Sequence, residues 1–310
     1  MRRTPRPTSP AAGALLLTAL LTSLLTACGT ESTGTSTANT PLASGCGEPI
    51  TASPTTTSSD PEALEKDGVK ILGFVAARNC VEYEVTNSGT EPMTYTIGFT
   101  FAGGTPASTQ HEEETIDSVE PGRTIRRTLT ATGALGPTEA TIGTVRSVPT
   151  AEAPAPAATC PPSGVRVYVD QGDAAMGLRV VGLFVENCGT AAYQLNGYPT
   201  LELIDADHEP VDGVDVLEGA GDIATSTGAD TLPSPVTLNT GERARATLVW
   251  RNTTGMGEAV NAPYARVWAK PGADPVTVTP ELDLGTTGQL GVGAWAKDTE
   301  YQAVAPGALP

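Results

Sequence analysis

Five cysteines are the side chains best suited to covalent chemistry in this chain, and their positions divide them into two kinds. Cys28 stands directly after an apolar run. The other four are spread along the chain, at Cys46, Cys80, Cys160 and Cys188. No two of these four have the close spacing of zinc ligands, and in an exported protein an even number of cysteines indicates two disulfide bonds. The count alone leaves three pairings open.

The N-terminus predicts export and lipid attachment. Residues 1–27 contain three arginines, an apolar run and small residues at the end, which is the pattern of a secretory signal peptide. The sequence Leu25-Thr26-Ala27-Cys28 resembles the bacterial lipobox, whose cysteine receives a diacylglycerol thioether and becomes the new N-terminus. Two acyl chains give stable anchoring where one does not. We therefore expect Cys28 to hold the protein on the outer face of the cytoplasmic membrane; an ordinary cleaved signal is the alternative.

Removal of the signal peptide makes the chain more acidic. It takes away three arginines and no acid, so the formal net charge falls from −17 to −20. Such a surface repels phosphate groups, and no cluster of lysine or arginine offsets it. We therefore exclude nucleic acid as a partner.

Candidates for catalysis are few. The chain has two histidines, His111 and His208, each in a strongly polar stretch. It lacks the HExxH, GxSxG, GxGxxG and P-loop motifs. The cysteines are expected in disulfide bonds, and no histidine lies beside one in the sequence. We therefore expect a protein that is not an enzyme and carries no cofactor.

The acidic stretch "DADHEPVDGVD" is a weak candidate for calcium binding, because calcium prefers clustered oxygen ligands. The candidate ligands are Asp205, Asp207 and Glu209, with Asp212 and Asp215 close by. An EF-hand loop is excluded, since Pro210 replaces the required glycine and Val216 the bidentate glutamate. A polar turn between two strands is the simpler interpretation, so no metal is expected.

Two tryptophans are candidates for ligand binding. Trp250 alternates with apolar residues and is expected in the core, whereas Trp268 alternates with Arg266 and Lys270. Trp295 alternates with two glycines. This alternation would place Trp268 and Trp295 on a less buried sheet face, where an aromatic ring can cover the C–H face of a sugar. Inward packing under a loop is the favoured interpretation.

Two breaks in composition divide the mature chain. Residues 28–67 are rich in Ser, Thr, Gly and Pro, which predicts a flexible lipidated tether. Residues 149–159 are rich in Pro and Ala, which predicts an extended linker. These breaks delimit two folded blocks, residues 68–148 and 160–300, followed by a tail at 301–310.

Both blocks are predicted to be all-β. Apolar and polar residues alternate in "MTYTIGFTF" (93–101), in "VRVYV" (165–169) and in "ATLVW" (246–250). Turn residues separate these runs. The pattern predicts two tandem antiparallel β-sandwiches of immunoglobulin type.

A hairpin explains one disulfide pairing. If "VRVYV" and "LRVVGLFVEN" pair, their turn lies in "DQGDAAMG", and Cys160 comes beside Cys188. Elimination then pairs Cys46 with Cys80, which would attach the tether to the first block. The alternatives, Cys46–Cys160 and Cys80–Cys188, would instead lock the two blocks together.

The two blocks resemble each other in sequence. "NSGT" at 87–90 matches "NCGT" at 187–190, and "EPGRTIRRTL" at 120–129 matches "NTGERARATL" at 239–248. The offsets of the two matches differ, 100 in the first and 119 in the second. Diverged duplication and convergent turn chemistry both remain open.

Residues 160–296 resemble a known family. Cys160, "VEN", "LNGYPTLEL", "VTLNTGERARATLVW" and "ARVWAKPGADPVTV" are similar to domain of unknown function 4232, which is typical of secreted lipoproteins of high-GC Gram-positive bacteria. A cysteine usually lies two residues before the leucine of "LNGYP", where this chain has Tyr193, so the pairing of the family's disulfide is not transferred. The resemblance implies a β-sandwich and an envelope location, and no activity.

The sequence therefore predicts a non-catalytic, lipid-anchored envelope protein that acts as a binding or scaffolding module. Its expected partners are the membrane, through Cys28, and a cell-wall glycan or an envelope protein. A glycan-binding module that uses exposed tryptophans and a calcium-dependent module are the rival hypotheses.

Overall fold

The computed structural model describes residues 45–46, 60–103, 109–132 and 136–301. The predicted signal peptide, Cys28, most of the tether and the tail beyond Tyr301 lie outside these residues. Among the described residues, no helix is long and apolar enough to cross a membrane.

The described part of the chain is all-β, as the sequence predicts. Its helical turns are short 3-10 turns at Pro61–Ala63, Ala76–Arg78 and Thr150–Glu152. Residues 60–67, which the composition assigns to the tether, form the first of these turns and strand β1 because Asp60 caps the turn by accepting the Glu62 N–H.

Seven strands form the first half of the described chain (residues 60–149). They are β1 (Glu65–Lys66), β2 (Val69–Val75), β3 (Cys80–Thr86), β4 (Met93–Gly103), β5 (Gln110–Val119), β6 (Thr124–Thr130) and β7 (Pro137–Pro149). One sheet has the order β1-β2-β3-β6 and the other β5-β4-β7. Because side chains alternate between the faces of a strand, Tyr83 of β3 and Phe99 of β4 both point inward. Their rings meet with centroids 4.8 Å apart in the core between the sheets.

Fourteen strands form the second half (residues 160–301). They are β8 (Val165–Val169), β9 (Asp173–Ala175), β10 (Leu178–Asn187), β11 (Tyr193–Leu195), β12 (Thr200–Ile204), β13 (Asp215–Glu218), β14 (Val236–Leu238), β15 (Glu242–Arg251), β16 (Val260–Ala262), β17 (Tyr264–Trp268), β18 (Val276–Val278), β19 (Leu282–Gly285), β20 (Gln289–Val292) and β21 (Ala296–Lys297). The largest sheet has the order β13-β20-β15-β10-β8, with β21 on β15 and β9 on β10. Smaller sheets are β11-β14, β12-β17-β18 and β16-β19. The pairing of β13 with β20 is parallel, which the antiparallel prediction does not include.

The two halves repeat one pairing scheme. Cys80 of β3 lies opposite Thr130 of β6, and Val180 of β10 lies opposite Val249 of β15. Adding 100 to the residue numbers of β3 therefore gives β10, and adding 119 to those of β6 gives β15. The same shifts relate the β4–β5 pair to the β11–β14 pair, where Met93 opposite Val119 becomes Tyr193 opposite Leu238. A common register across both sheets favours an internal repeat over convergent turn chemistry.

A buried asparagine, Asn87, directly follows strand β3 in the first half. Asn87 is 1% exposed, and its Nδ2 donates to the carbonyls of Glu91 (2.8 Å) and Val119 (2.7 Å). Its Oδ1 accepts the N–H of Gly89 (2.8 Å). Because Asn87 follows β3 and Val119 ends β5, this one amide links the two sheets.

Asn187 repeats every one of these contacts in the second half. It is also 1% exposed, and its Nδ2 donates to the carbonyls of Ala191 (2.9 Å) and Leu238 (2.8 Å). Its Oδ1 accepts the N–H of Gly189 (3.1 Å). The "NxGT" similarity therefore reflects a shared link between sheets.

Both predicted disulfide bonds are present. Cys46–Cys80 has a Cα–Cα distance of 5.9 Å, and Cys160–Cys188 has one of 5.6 Å. The predicted hairpin explains the second bond, because β8 pairs with β10 and brings Val165 opposite Asn187. The first bond is buried, whereas Cys160 is exposed.

We expect Asn87→Ala and Asn187→Ala each to lower the free energy of unfolding by about 2–4 kcal/mol, because buried carbonyls and an N–H lose their partner. Chemical denaturation of the purified protein measures this loss. Asn196→Ala, at an exposed position, is the control and should change stability by less than about 0.5 kcal/mol. Losses at Asn87 and Asn187 as small as that of the control would contradict the role of the two amides.

Candidate binding cleft

The two halves contact each other directly through the end of β7. The Arg146 guanidinium binds Glu281 of the second half with two hydrogen bonds of 2.6 Å. This carboxylate raises the pKa of Arg146. The next residue, Ser147, donates its N–H to the Tyr264 hydroxyl (3.2 Å).

The linker between the halves takes part in the same interface. Glu152 accepts hydrogen bonds from Arg266 Nε (2.8 Å) and from the Thr277 hydroxyl (2.7 Å). Arg266 also donates to Glu202 (2.8 Å), and its pKa is raised mainly by the hydrogen bond to Glu152. The linker is therefore held against the second half at Glu152 rather than serving only as a spacer.

A cleft of about 490 Å³ lies at this interface and takes its walls from both halves. Met93 and Tyr95 of β4 and Tyr264 of β17 form a buried floor. Burial raises the pKa of both tyrosines, although the Ser147 N–H opposes this effect at Tyr264. The floor is therefore apolar, with neutral hydroxyl groups.

Exposed polar side chains surround the floor. The cleft is lined from the first half by Asp67, Ser88, Thr90 and Glu91, and from the second half by Asp207. All five are exposed. Hydroxyl and carboxylate groups around an apolar floor suit a polar ligand that also has an apolar face.

The acidic turn forms part of the cleft wall. Asp205 Oδ1 accepts the N–H groups of Asp207 and Glu209, both at 2.9 Å, so one predicted calcium ligand is instead occupied in holding the turn. Asp207 faces the cleft, and Asp215 lies in β13. Within the described ranges, no group of three or more histidine, cysteine or acidic side chains is placed to hold a metal ion.

His208 connects this turn to the first half. It has a positive φ of 65° and stacks on Tyr264, with ring centroids 4.9 Å apart. Its Nε2 lies 3.1 Å from Ser147 Oγ. The sequence offers no signal for this pair, because its two members are 61 residues apart and belong to different halves.

A serine beside a histidine meets the first requirement for nucleophilic catalysis, which also needs a third group that orients the histidine. In the described part of the chain, Nδ1 of His208 has no hydrogen-bond partner. The Ser147–His208 pair is best explained as a bond between the halves. His111 lies on β5, where it bonds Thr100.

The two candidate tryptophans differ in exposure. Trp295 is 1% exposed, so the placement that alternation suggests is wrong for this residue. It follows the end of β20, where strand alternation no longer applies, and its Nε1 donates to the Ala269 carbonyl (2.9 Å). Trp268 is half-buried on β17, and Trp250 lies in the core as expected.

Trp295 also explains the "LNGYP" segment. This segment connects β11 to β12 through a turn in which Gly197 has a φ of 76°. The Gly197 carbonyl accepts the backbone N–H of Trp295 (2.9 Å). This bond joins the turn after β11 to the segment that follows β20. Residues 160–296 match the model of the family described as domain of unknown function (DUF4232). We call this segment the DUF4232 domain.

The DUF4232 domain supplies one wall of the cleft, through Asp207, His208 and Tyr264. No curated protein matches this chain. The family match therefore shows what this segment is similar to and gives it no activity.

We expect Ser147 to be chemically unreactive, because the described residues supply no group that orients His208 as a base. Incubation with a fluorophosphonate probe, followed by mass spectrometry, should give no adduct at Ser147. An adduct that disappears in His208→Ala would contradict this expectation and indicate an enzyme.

We expect Arg266→Ala to loosen the contact between the linker and the second half, because Glu152 then loses a charged partner at a cost of about 1–3 kcal/mol. Limited proteolysis should cut residues 150–159 faster than in the unmodified protein. Arg245→Ala is the control, since Arg245 is exposed on β15 and lies outside this interface. Equal cutting rates in the two variants would show that the Arg266–Glu152 bond does not hold the linker.

Proposed function

We propose that this protein is a non-catalytic, lipid-anchored binding module of the cell envelope, and that its ligand occupies the cleft between the halves. The observation that carries the proposal is that both halves contribute to one cleft, through Tyr95 on one side and Tyr264 on the other. Contact between the two repeats creates a concave site whose lining comes from both of them.

We also propose that each half is an immunoglobulin-like sandwich. The core strands of the first half form the sheets β2-β3-β6 and β5-β4-β7, with the chain crossing between sheets after β3, after β5 and after β6. The crossing after β3 is repeated after β10 in the second half. Sandwiches of this type commonly serve as binding modules.

The location of the protein follows from its N-terminus. The lipobox-like sequence before Cys28 supports attachment to the outer face of the cytoplasmic membrane. The two disulfide bonds fit this location, since disulfides persist outside the reducing cytoplasm.

The lining of the cleft favours a ligand rich in hydroxyl or amino groups, such as a cell-wall glycan. Carboxylates at Asp67, Glu91 and Asp207 accept hydrogen bonds from such groups. The exposed ring of His208, which is stacked on Tyr264, offers a surface for the apolar side of a sugar ring.

We expect Asp207→Asn combined with Glu91→Gln to reduce retention of the full-length protein on purified cell wall, because both carboxylates line the cleft. The control is Glu258→Gln, which removes an exposed acid outside the cleft lining. Co-sedimentation measures the retained fraction. Equal retention of the two variants would contradict the placement of the ligand in the cleft.

We expect Cys28→Ser to leave the protein without lipid, so that it separates from the membrane during fractionation. Intact mass spectrometry and fractionation measure the two effects. Ser23→Ala, within the same apolar run, should remain lipidated. Firm membrane retention of the Cys28→Ser protein would contradict the lipobox interpretation.

A further inference from the structure

Among the described residues, the outer edge of β6 presents backbone groups that no other strand pairs with. Asn87 N–H donates to the Arg123 carbonyl (3.0 Å), and Ala131 N–H donates to the Asn79 carbonyl (2.9 Å), so the odd-numbered residues of this stretch face β3. Along an antiparallel strand, successive residues direct their backbone N–H and C=O groups to opposite sides. The even-numbered residues from Thr124 to Thr130 therefore direct these groups away from β3. Within the described ranges, no strand pairs with this side of β6, and Gly45 lies against the Thr128 side chain.

The same edge is filled in the DUF4232 domain. β15 is the repeat equivalent of β6, and it pairs on this side with β20 and β21. The carbonyls of Arg243 and Thr247 accept the N–H groups of Asp298 (2.9 Å) and Gly293 (2.8 Å). With the shift of 119 residues, these two carbonyls correspond to those of Thr124 and Thr128.

The side chains beside the open edge are basic. Arg123, Arg126 and Arg127 are all exposed, and Arg126 makes a single loose ion pair with Glu84 at 3.5 Å. Arginine on an edge strand also repels other strands of like charge, which protects a protein from self-association. A second copy of this edge is therefore a poor partner, whereas an acidic strand is a good one.

We propose that the β6 edge binds an extended acidic segment of another protein as an added antiparallel strand. The second half shows the geometry that the repeat uses at this edge, and the arginines set the charge of the partner. Main-chain hydrogen bonds give the affinity in this mode of recognition, and alternate side chains give the specificity. This surface is distinct from the lining of the cleft.

The test uses the full-length protein and two synthetic peptides, one alternating valine with glutamate and one alternating valine with lysine. Amide hydrogen exchange by NMR reads out the edge residue by residue. In the free protein the N–H groups of Arg126 and Thr128 should exchange rapidly, and those of Arg127 and Leu129 slowly. The glutamate peptide should slow exchange at Arg126 and Thr128, and the lysine peptide should not.

Two variants separate backbone pairing from charge. Thr128→Pro removes an outward N–H without touching the bonds to β3 and should weaken binding of the glutamate peptide by about 10-fold or more. Thr128→Val keeps the N–H and should bind normally. Arg126→Glu, which leaves the backbone intact if the proline variant fails to fold, should reduce the preference for the glutamate peptide.

Three results would overturn the proposal. Slow exchange at Arg126 and Thr128 in the free protein would mean that the edge is already occupied, for instance by residues 47–59 of this chain. Equal protection by both peptides would remove the role of the arginines. Absence of protection by the glutamate peptide would show that the arginines only keep other strands away.

Discussion

The fold depends on satisfying one buried amide in each repeat. A carboxamide that is removed from water costs about 1–3 kcal/mol for each polar group left unpaired, so the chain around Asn87 and Asn187 must supply fixed partners. Those partners lie on the following turn and on a strand of the opposite sheet. The backbone carbonyl of each asparagine also accepts the N–H of a turn glycine, Gly122 or Gly241. Each asparagine thereby fixes three features relative to the end of its own strand. These are the turn that follows it, the strand of the opposite sheet (β5 or β14) and the glycine turn that leads into β6 or β15.

The same repeat is completed differently in the two halves. In the second half, Arg243 stacks between the rings of Phe184 (4.2 Å) and Tyr301 (4.0 Å) and bonds Asp298, so the end of the described chain is fastened to the outer sheet face. In the first half, the disulfide bond to Cys80 brings Cys46 to the equivalent face. The two halves therefore share one arrangement of strands but attach a chain segment to its outer face differently. The second half uses an arginine stacked between aromatic rings, and the first half uses a disulfide bond.

Local patterns predicted the strands and the disulfides well. Alternation identifies β4 and β15 because their side chains have one buried and one exposed face, and the β8–β10 hairpin places Cys160 beside Cys188. Alternation failed at Trp295 because that residue follows the end of β20 and lies outside a strand. The cleft had no local signal, since Ser147 and Arg146 meet their partners across 61 to 135 residues of sequence. Contacts between residues so far apart in the sequence leave no pattern in any short segment of it.

The buried disulfide bond also determines how the protein responds to tension. A pull on the chain from its N-terminal side reaches Cys46 and passes through the sulfur atoms directly to Cys80, at the start of β3. The intervening residues 47–79, with β1 and β2, form a closed loop and carry none of this load. Force is delivered instead to the strand that pairs on both sides, with β2 and with β6. Strain from a cell-surface attachment would thus be borne by the centre of the sheet, and its marginal strands would not be peeled away first.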